Sequence, residues 1–581
     1  MGKINRKDKV MVIGLDGATL DLIKPWVNEG KLPGFKRMME EGVHGRLQSV
    51  IRPGSPQAWS SFITGKNPGK HRVFYFIERR PNSYDIKFVN AKSRRGDSLW
   101  KLLSNAGKKV GVINVPITYP PEKVNGFMIS GVDSPGVESK FTYPENLIQE
   151  INNNVGNYII EAGVWGFITG GRYKEALEKL SQTIEIRYKT HKYLSQKYQW
   201  DLLMTVFTAA DRVQHNFWKF MDVNHPLYDE MENKEYGSAI YEVYKNLDDI
   251  LMEIIDEIDD DTTLIIVSDH GMGGITNRSI YLNKWLEAEG LLFFKDRNNT
   301  DFLRLVKGKI KEKIYVDTLK FVRRQLWKRL HRKTKEKLVR LMPGLRNKMS
   351  SLFFFSRINM ANTMAYAEEN RSIIWINLEG RDPKGCVKPG EQYEQLRDRI
   401  IKGLESLRDP ETGEKIVEKG YRREEIYWGE YVKDSPDIVI MWKDDKYVSR
   451  PSYTSKSNEY LRIIGLEELR KLEFNLQANA QHRRDGIFLM KGRAVKKGVE
   501  LKNLSIMDLT PTILYLLGQF VPNDMDGRVI GEAFNEDFFS NNPVKFTNVS
   551  TGEKTDSSEG EIYSDEDNTV IEERLKGLGY L

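Results

Sequence analysis

Short apolar runs and longer amphipathic runs alternate through the first 280 residues of the chain. Five runs rich in aliphatic and β-branched residues read as strands: Val10–Leu15, Lys109–Val115, Gly126–Ser130, Leu202–Thr208 and Thr263–Ser268. Between them, Thr19–Glu29, Ser98–Ala106, Tyr173–Lys197 and Ser238–Ile258 carry helical patterns. Strands that take turns with helices predict an α/β fold with a mostly parallel central sheet and helices on both faces. Ligands collect at the carboxyl ends of the strands in such sheets. Polar residues just past those ends are therefore the first candidates for chemistry.

The alternation breaks at residues 285–362. Lys and Arg interleave there with Leu305, Val306, Ile310, Ile314, Leu319, Val322, Leu326, Trp327 and Leu330 at roughly helical spacing. This pattern predicts a basic helical insertion that acts as a lid or cap. Sheet-like runs resume at Ile373–Leu378, Asp437–Met441 and Gly486–Met490, and a helix starts at Asp508 with Pro511 in its first turns, where a missing N–H is tolerated. The expected organisation is a catalytic core split between residues 1–284 and 363–534 around the insertion. A flexible polar tail with a short terminal helix is expected over residues 535–581.

Charge sharpens this division. The chain of 581 residues has a formal net charge of +7, yet Arg304 to Lys348 alone hold 17 Lys and Arg against 3 Asp and Glu. The basic character belongs to one segment, and the catalytic body is mildly acidic. The single cysteine, Cys386, excludes a disulfide framework and any Cys-rich metal site. It suits a reducing compartment. The apolar run after Lys9 is short and reads as a buried strand rather than a secretory segment, and no run of about 18 apolar residues occurs. The expected location is cytoplasmic, with peripheral attachment to an anionic membrane through residues 300–348 as a second expectation.

Polar candidates follow the predicted strands. Asp16 ends the first, in Gly-Leu-Asp-Gly, and Asp269-His270 end another, in Ile-Ile-Val-Ser-Asp-His-Gly-Met-Gly. Asp211 and His215 stand four residues apart, which places a carboxylate and an imidazole on one face of a helical turn. Such a pair suits a divalent metal such as zinc or manganese. His482 precedes a further apolar strand, and Ser55 sits before a predicted helix that opens with Pro56. A hydroxyl there can be a nucleophile whose alkoxide the helix dipole and a metal stabilise. Each residue alone also fits an ordinary role as a turn, a helix cap or a surface polar group. Together they supply three carboxylates, three imidazoles and a hydroxyl, enough for two adjacent cations and in-line displacement at phosphorus.

The order Asp16, Ser55, Asp211-x-x-x-His215, Asp269-His270, His482 resembles the alkaline phosphatase superfamily, and within it the type I phosphodiesterase/nucleotide pyrophosphatase branch. Also matching are Ala-Trp-Ser-Ser-Phe-Ile-Thr-Gly-Lys-Asn-Pro-Gly-Lys-His71, Asn377-Leu-Glu-Gly-Arg-Asp-Pro and Asp524-Met-Asp-Gly-Arg528. The resemblance implies one cation on Asp211, His215 and His482, and another on Asp16, Asp269, His270 and the Ser55 oxygen. It implies attack by Ser55 on phosphorus, a phosphoseryl intermediate and its release by water. Ser55 stands where nucleotide pyrophosphatases usually have Thr, and Phe76 where they have an Asn that contacts a phosphate oxygen. Gln57 and Trp59 occupy positions where sulfatases need Pro and Arg, which disfavours a sulfatase.

The leading expectation is a two-metal phosphodiesterase or phosphatase, with zinc or manganese, acting on a small or lipid-linked phosphoester. A phosphomutase using the same serine and cations is one alternative. A membrane-surface or polyanion-binding protein on a degenerate hydrolase fold is the other. No specific nucleic-acid partner is expected.

Overall fold

The computed structural model describes residues 8–295, 357–452, 455, 457–470, 479–548 and 562–577. The strands that organise it are β1 (Lys9–Leu15), β2 (Val43–Gln48), β3 (Val110–Val115), β4 (Gly126–Ser130), β5 (Thr142–Tyr143), β6 (Leu202–Phe207), β7 (Thr262–Val267), β8 (Asp485–Lys491) and β9 (Val499–Ser505). They form a nine-stranded sheet in the order β9-β2-β8-β7-β1-β6-β3-β4-β5. The run β7-β1-β6-β3-β4 is parallel throughout, and β8 and β5 pair antiparallel with their neighbours. This is the mostly parallel α/β sheet that the alternation of strands and helices predicts.

Every residue of β3, β6 and β7 is buried, as expected of strands covered on both faces. Their side chains divide by parity. Met11, Ile13 and Leu15 of β1 join a core beneath the helices Leu20–Asn28, Tyr173–Lys197, Ala209–Met221 and Ala239–Glu257. Val10 and Val12 join the opposite core, beneath Ser55–Thr64, Leu99–Asn105 and Leu509–Leu516. The period of two that sends successive side chains to opposite faces builds both cores from one strand.

The runs at 373 and 437 enter a different sheet. Ala365–Glu368, Ile373–Ile376, Ile438–Trp442 and Val417–Arg422 make four antiparallel strands in that order, packed on the helices Leu282–Ala288 and Glu391–Ser406. Only β8 and β9 return to the main sheet. At the edges of the insertion expected over residues 285–362, Phe294 bridges to Ile358; residues 296–356, and with them the basic segment and its proposed membrane contact, lie outside the described residues. No described helix is long and apolar enough to cross a membrane. Within residues 535–581, expected as a flexible polar tail with a short terminal helix, the described part holds helices at Glu536–Asn541 and Asp565–Gly577. Tyr563, Ile571 and Leu575 are buried against Val73, Val89, Ile117 and Val132.

Candidate active site

Five segments bring the predicted residues to the carboxyl edge of the parallel strands. Asp16 follows β1 directly, and its backbone N–H donates to the Phe207 carbonyl of β6. Gly17 comes next with a φ of +72°, and a Cβ there would lie 3.0 Å from Cβ of Asp211. Glycine is what lets the β1 turn and the Asp211 helix approach this closely. Asp211 and His215 sit in the Ala209–Met221 helix with the expected four-residue spacing. Asp269 and His270 leave β7, and the backbone continues as a short strand, Gly271–Gly274, that pairs antiparallel with Ala480–Arg483. That pairing sets Met272 opposite His482 and carries the distant histidine into the site. Ser55 is the first residue of the Ser55–Thr64 helix, whose residues are all buried, with Trp59 under Gly14.

All seven residues converge. The Ser55 hydroxyl donates to Asp16 Oδ1 at 3.4 Å and lies 3.3 Å from His270 Nε2. His270 Nε2 is 3.6 Å from Asp16 Oδ1 and 3.4 Å from Asp269 Oδ2. Asp211 Oδ1 is 3.4 Å from His215 Nε2 and 3.5 Å from His482 Nε2, and those two nitrogens are 3.1 Å apart. The ligand atoms of Asp211, His215 and His482 all lie within 4.8 Å of one another, as do those of Asp16, Asp211 and His270. Asp211 thus belongs to both groups. Asp269 flanks the second group, with its Oδ1 accepting from the Gly17 N–H at 3.4 Å.

Hydrogen bonding outside the cluster orients the rings. His215 Nδ1 donates to the Ala480 carbonyl at 3.1 Å, and His270 Nδ1 donates to its neighbour Gly271 at 3.0 Å. Both rings therefore turn an Nε2 lone pair inward, the tautomer a metal ligand requires. Asp211 Oδ1 and Asp269 Oδ2 are buried and accept no hydrogen bond of good geometry. Buried carboxylate oxygens without donors are costly unless a cation faces them. The donor set of carboxylates and imidazoles fits divalent zinc or manganese.

Electrostatics agree with that strain. Burial, then the charges of Asp269 and Asp211, push Asp16 well above the usual carboxylate range. Burial, then Asp211, raises Asp269 to about 7. Asp211 goes the other way: against the upward push of burial, His215 and Arg212 hold it well below its ordinary value. Burial and the neighbouring His270 push His482 down to about 3.

Two residues not anticipated from the sequence support Asp211. Arg212 pairs with the Asp211 carboxylate and, at 3.3 Å, with Glu161, and all three side chains are almost fully buried. Arg212 adjoins Asp211 in sequence, which was a usable signal; Glu161 offered none. Phe76 lies buried in the apolar cluster with Val73 and Val89. The other matching motifs are locks. Asn377 Nδ2 donates to the carbonyls of Met360 and Thr363 at 2.8 Å, and Asp526 accepts from the Asn67 side chain at 2.9 Å and from Lys70 at 2.6 Å.

The family model for type I phosphodiesterase/nucleotide pyrophosphatase matches residues 10–464. Phosphonoacetate hydrolase from Sinorhizobium meliloti 1021, solved with phosphonoformate, superposes with a TM-score of 0.50 at 13% identity, covering 88% of this chain and 95% of its own. A mutant of the alkaline phosphatase PafA gives 0.49 at 14% identity over 92% and 100%. Murine ectonucleotide pyrophosphatase/phosphodiesterase 5 gives 0.45 at 14% identity over 88% and 95%. No curated protein matches in sequence.

Proposed function

The chain belongs to the type I phosphodiesterase/nucleotide pyrophosphatase family, and from that premise we propose that it hydrolyses phosphate esters with two divalent cations and Ser55 as nucleophile. Membership places it among the hydrolases of phosphoric esters. The observation that carries the finer reading is the meeting of six ligand-type side chains and one hydroxyl around Asp211 Oδ1 and Asp269 Oδ2, buried carboxylate oxygens that accept no hydrogen bond of good geometry.

In this reading Asp211, His215 and His482 hold one cation, and Asp16, Asp269, His270 and the Ser55 oxygen hold the other. Bound zinc or manganese would lower the hydroxyl pKa and neutralise the phosphoryl oxygens. The chain's own contribution is placement. Ser55 starts a helix, so the positive end of the helix dipole favours its alkoxide. Asp16 Oδ1 at 3.4 Å and His270 Nε2 at 3.3 Å are among the polar groups beside the hydroxyl. Burial lowers the pKa of His270, which keeps its Nε2 available as a lone pair. Attack by Ser55 Oγ forms a phosphorus–oxygen bond as the ester oxygen departs, and water then cleaves the phosphoseryl bond. The substrate is a small or lipid-linked phosphoester.

The test is hydrolysis of a mono-aryl or bis-aryl phosphate by purified protein with added zinc or manganese. Chelation should abolish the activity, and Ser55→Ala should lower kcat/KM by at least about a hundredfold. Undiminished turnover in Ser55→Ala would refute the nucleophile.

A further inference from the structure

Arg212 and Glu161 carry charge behind Asp211 without being ligands in the site described above. We propose that they are positioning residues for the cation held by Asp211, His215 and His482. Arg212 fixes which oxygen of Asp211 faces that cation, and Glu161 keeps the charge of Arg212 from cancelling that of Asp211. This deepens the two-cation reading of the site and rests on it.

Geometry supplies the first argument. Arg212 follows Asp211 on the Ala209–Met221 helix, where successive side chains do not face each other. The guanidinium nevertheless curls back, and its Nη1 donates to Asp211 Oδ2. Asp211 Oδ1 is left 3.4 Å from His215 Nε2 and 3.5 Å from His482 Nε2, buried and accepting no hydrogen bond of good geometry. One carboxylate oxygen is thus committed to the guanidinium and the other is presented to a cation. Glu161 sets the direction of the guanidinium. Arg212 Nε donates to Glu161 Oε1 and Nη2 to Oε2, both at 3.3 Å. This is the two-bond geometry of a planar fork on a carboxylate, which a lysine cannot reproduce.

Glu161 is itself fixed. Its Oε1 accepts from the Ala162 N–H at 3.0 Å, and the hydroxyl of Thr208, just before the Asp211 helix, donates to Oε2 at 3.5 Å. Arg187 holds the preceding backbone, with Nη2 donating to the carbonyls of Ile159 at 2.9 Å and Ile160 at 2.7 Å. A line of contacts therefore runs from the Tyr173–Lys197 helix through Glu161 and Arg212 to Asp211.

Charge supplies the second argument. The side chains of Asp211, Arg212 and Glu161 are 0%, 2% and 3% exposed. Desolvating two ions costs about what their attraction returns, so stability alone explains such a pair poorly. Arg212 by itself would neutralise Asp211. With Glu161 the three carry one net negative charge, and Asp211 still attracts a divalent cation while one of its oxygens is tied down.

The experiment titrates zinc calorimetrically into full-length protein stripped of metal, in competition with a chelator. The unsubstituted protein should take two zinc ions, and His215→Ala identifies the one held beside Asp211. In Glu161→Gln, which keeps the shape of the side chain and removes its charge, that ion should bind about tenfold or more weakly, the scale for losing a partner behind a metal ligand. The other ion should bind as before. Glu161→Asp keeps the charge and should recover part of the loss. Arg212→Lys keeps the charge but not the fork, and should weaken the same ion. Unchanged affinities in Glu161→Gln and Arg212→Lys would overturn the positioning role and leave the two-cation reading intact. Equal weakening of both ions, the mark of a loosened fold, would overturn the role as well. An unsubstituted protein that takes no zinc would overturn the two-cation reading, and the positioning role with it. If Glu161→Gln fails to fold, Glu161→Asp and Arg212→Lys decide by the same criteria.

Discussion

Asp16 and Asp269 are buried carboxylates that desolvation and neighbouring charge push toward the protonated form, and this couples cations to protons. Asp269 titrates at about 7 in the fold, against about 3.9 for an unfolded aspartate. In protein stripped of cations, Asp269 therefore holds a proton in the native state that it lacks in the unfolded state between about pH 4 and pH 7. The contribution of this residue to stability is present below the unfolded pKa and lost as pH rises to about 7. In the proposed two-cation site a cation would replace the proton, so zinc or manganese should raise the melting temperature of stripped protein more at about pH 8 than at about pH 5.5. Thermal unfolding with and without metal measures this, and equal increases at both pH values would contradict it. At this scale much was legible from the sequence. Asp211 and His215 stood out because four residues make one helical turn, and Asp16 and Asp269-His270 because they follow apolar runs. Glu161 did not stand out, since its approach to Arg212, 51 positions later, depends on packing that no local pattern records.

The helix that presents Ser55 is held at its far end. Gly65 caps it with a φ of +66°, and the Gly65 carbonyl accepts from the N–H groups of Asp526 and Gly527 at 2.8 and 3.1 Å. The Asp526 carboxylate takes bonds from the Asn67 backbone at 2.8 Å, Lys70 at 2.6 Å and the Trp428 indole at 2.7 Å. Asp526→Ala removes the acceptor shared by these donors and should destabilise the fold by about 2–4 kcal/mol, the cost of leaving a partly buried cation and amides unpaired. Urea denaturation checks this; a change within about 0.5 kcal/mol, the range of ordinary surface substitutions, would contradict it. Strands are legible where both faces are buried and harder elsewhere. The strand Val43–Gln48, one place in from the sheet edge, alternates buried and more exposed positions through Gly45, so its apolar signal is thin. The runs at 373 and 437 are recognisable as strands, but nothing in a strand states which sheet will accept it.

Across the whole molecule, the parallel sheet gathers at one edge residues that the chain keeps far apart, including His215 and His482 at a separation of 267 positions. The fold class followed from the alternation of strands and helices. The closeness of His482 followed only from the order of residues shared with a family, because the pairing of Gly271–Gly274 with the distant strand Ala480–Arg483 that carries it into place is a tertiary event. The terminal segment teaches a related lesson. Its polar composition suggests a tail with a short terminal helix, and what packing adds is the burial of Ile571 and Leu575, one helical turn apart, in the cluster that holds Phe76.

In the proposed reaction two in-line displacements, first by Ser55 and then by water, would each invert the configuration at phosphorus, so the complete reaction should retain it. The decisive measurement is therefore the stereochemical outcome of hydrolysing a chiral phosphorothioate diester in oxygen-labelled water. Net retention is the predicted result; net inversion, the mark of direct attack by water, would contradict a phosphoseryl intermediate on Ser55.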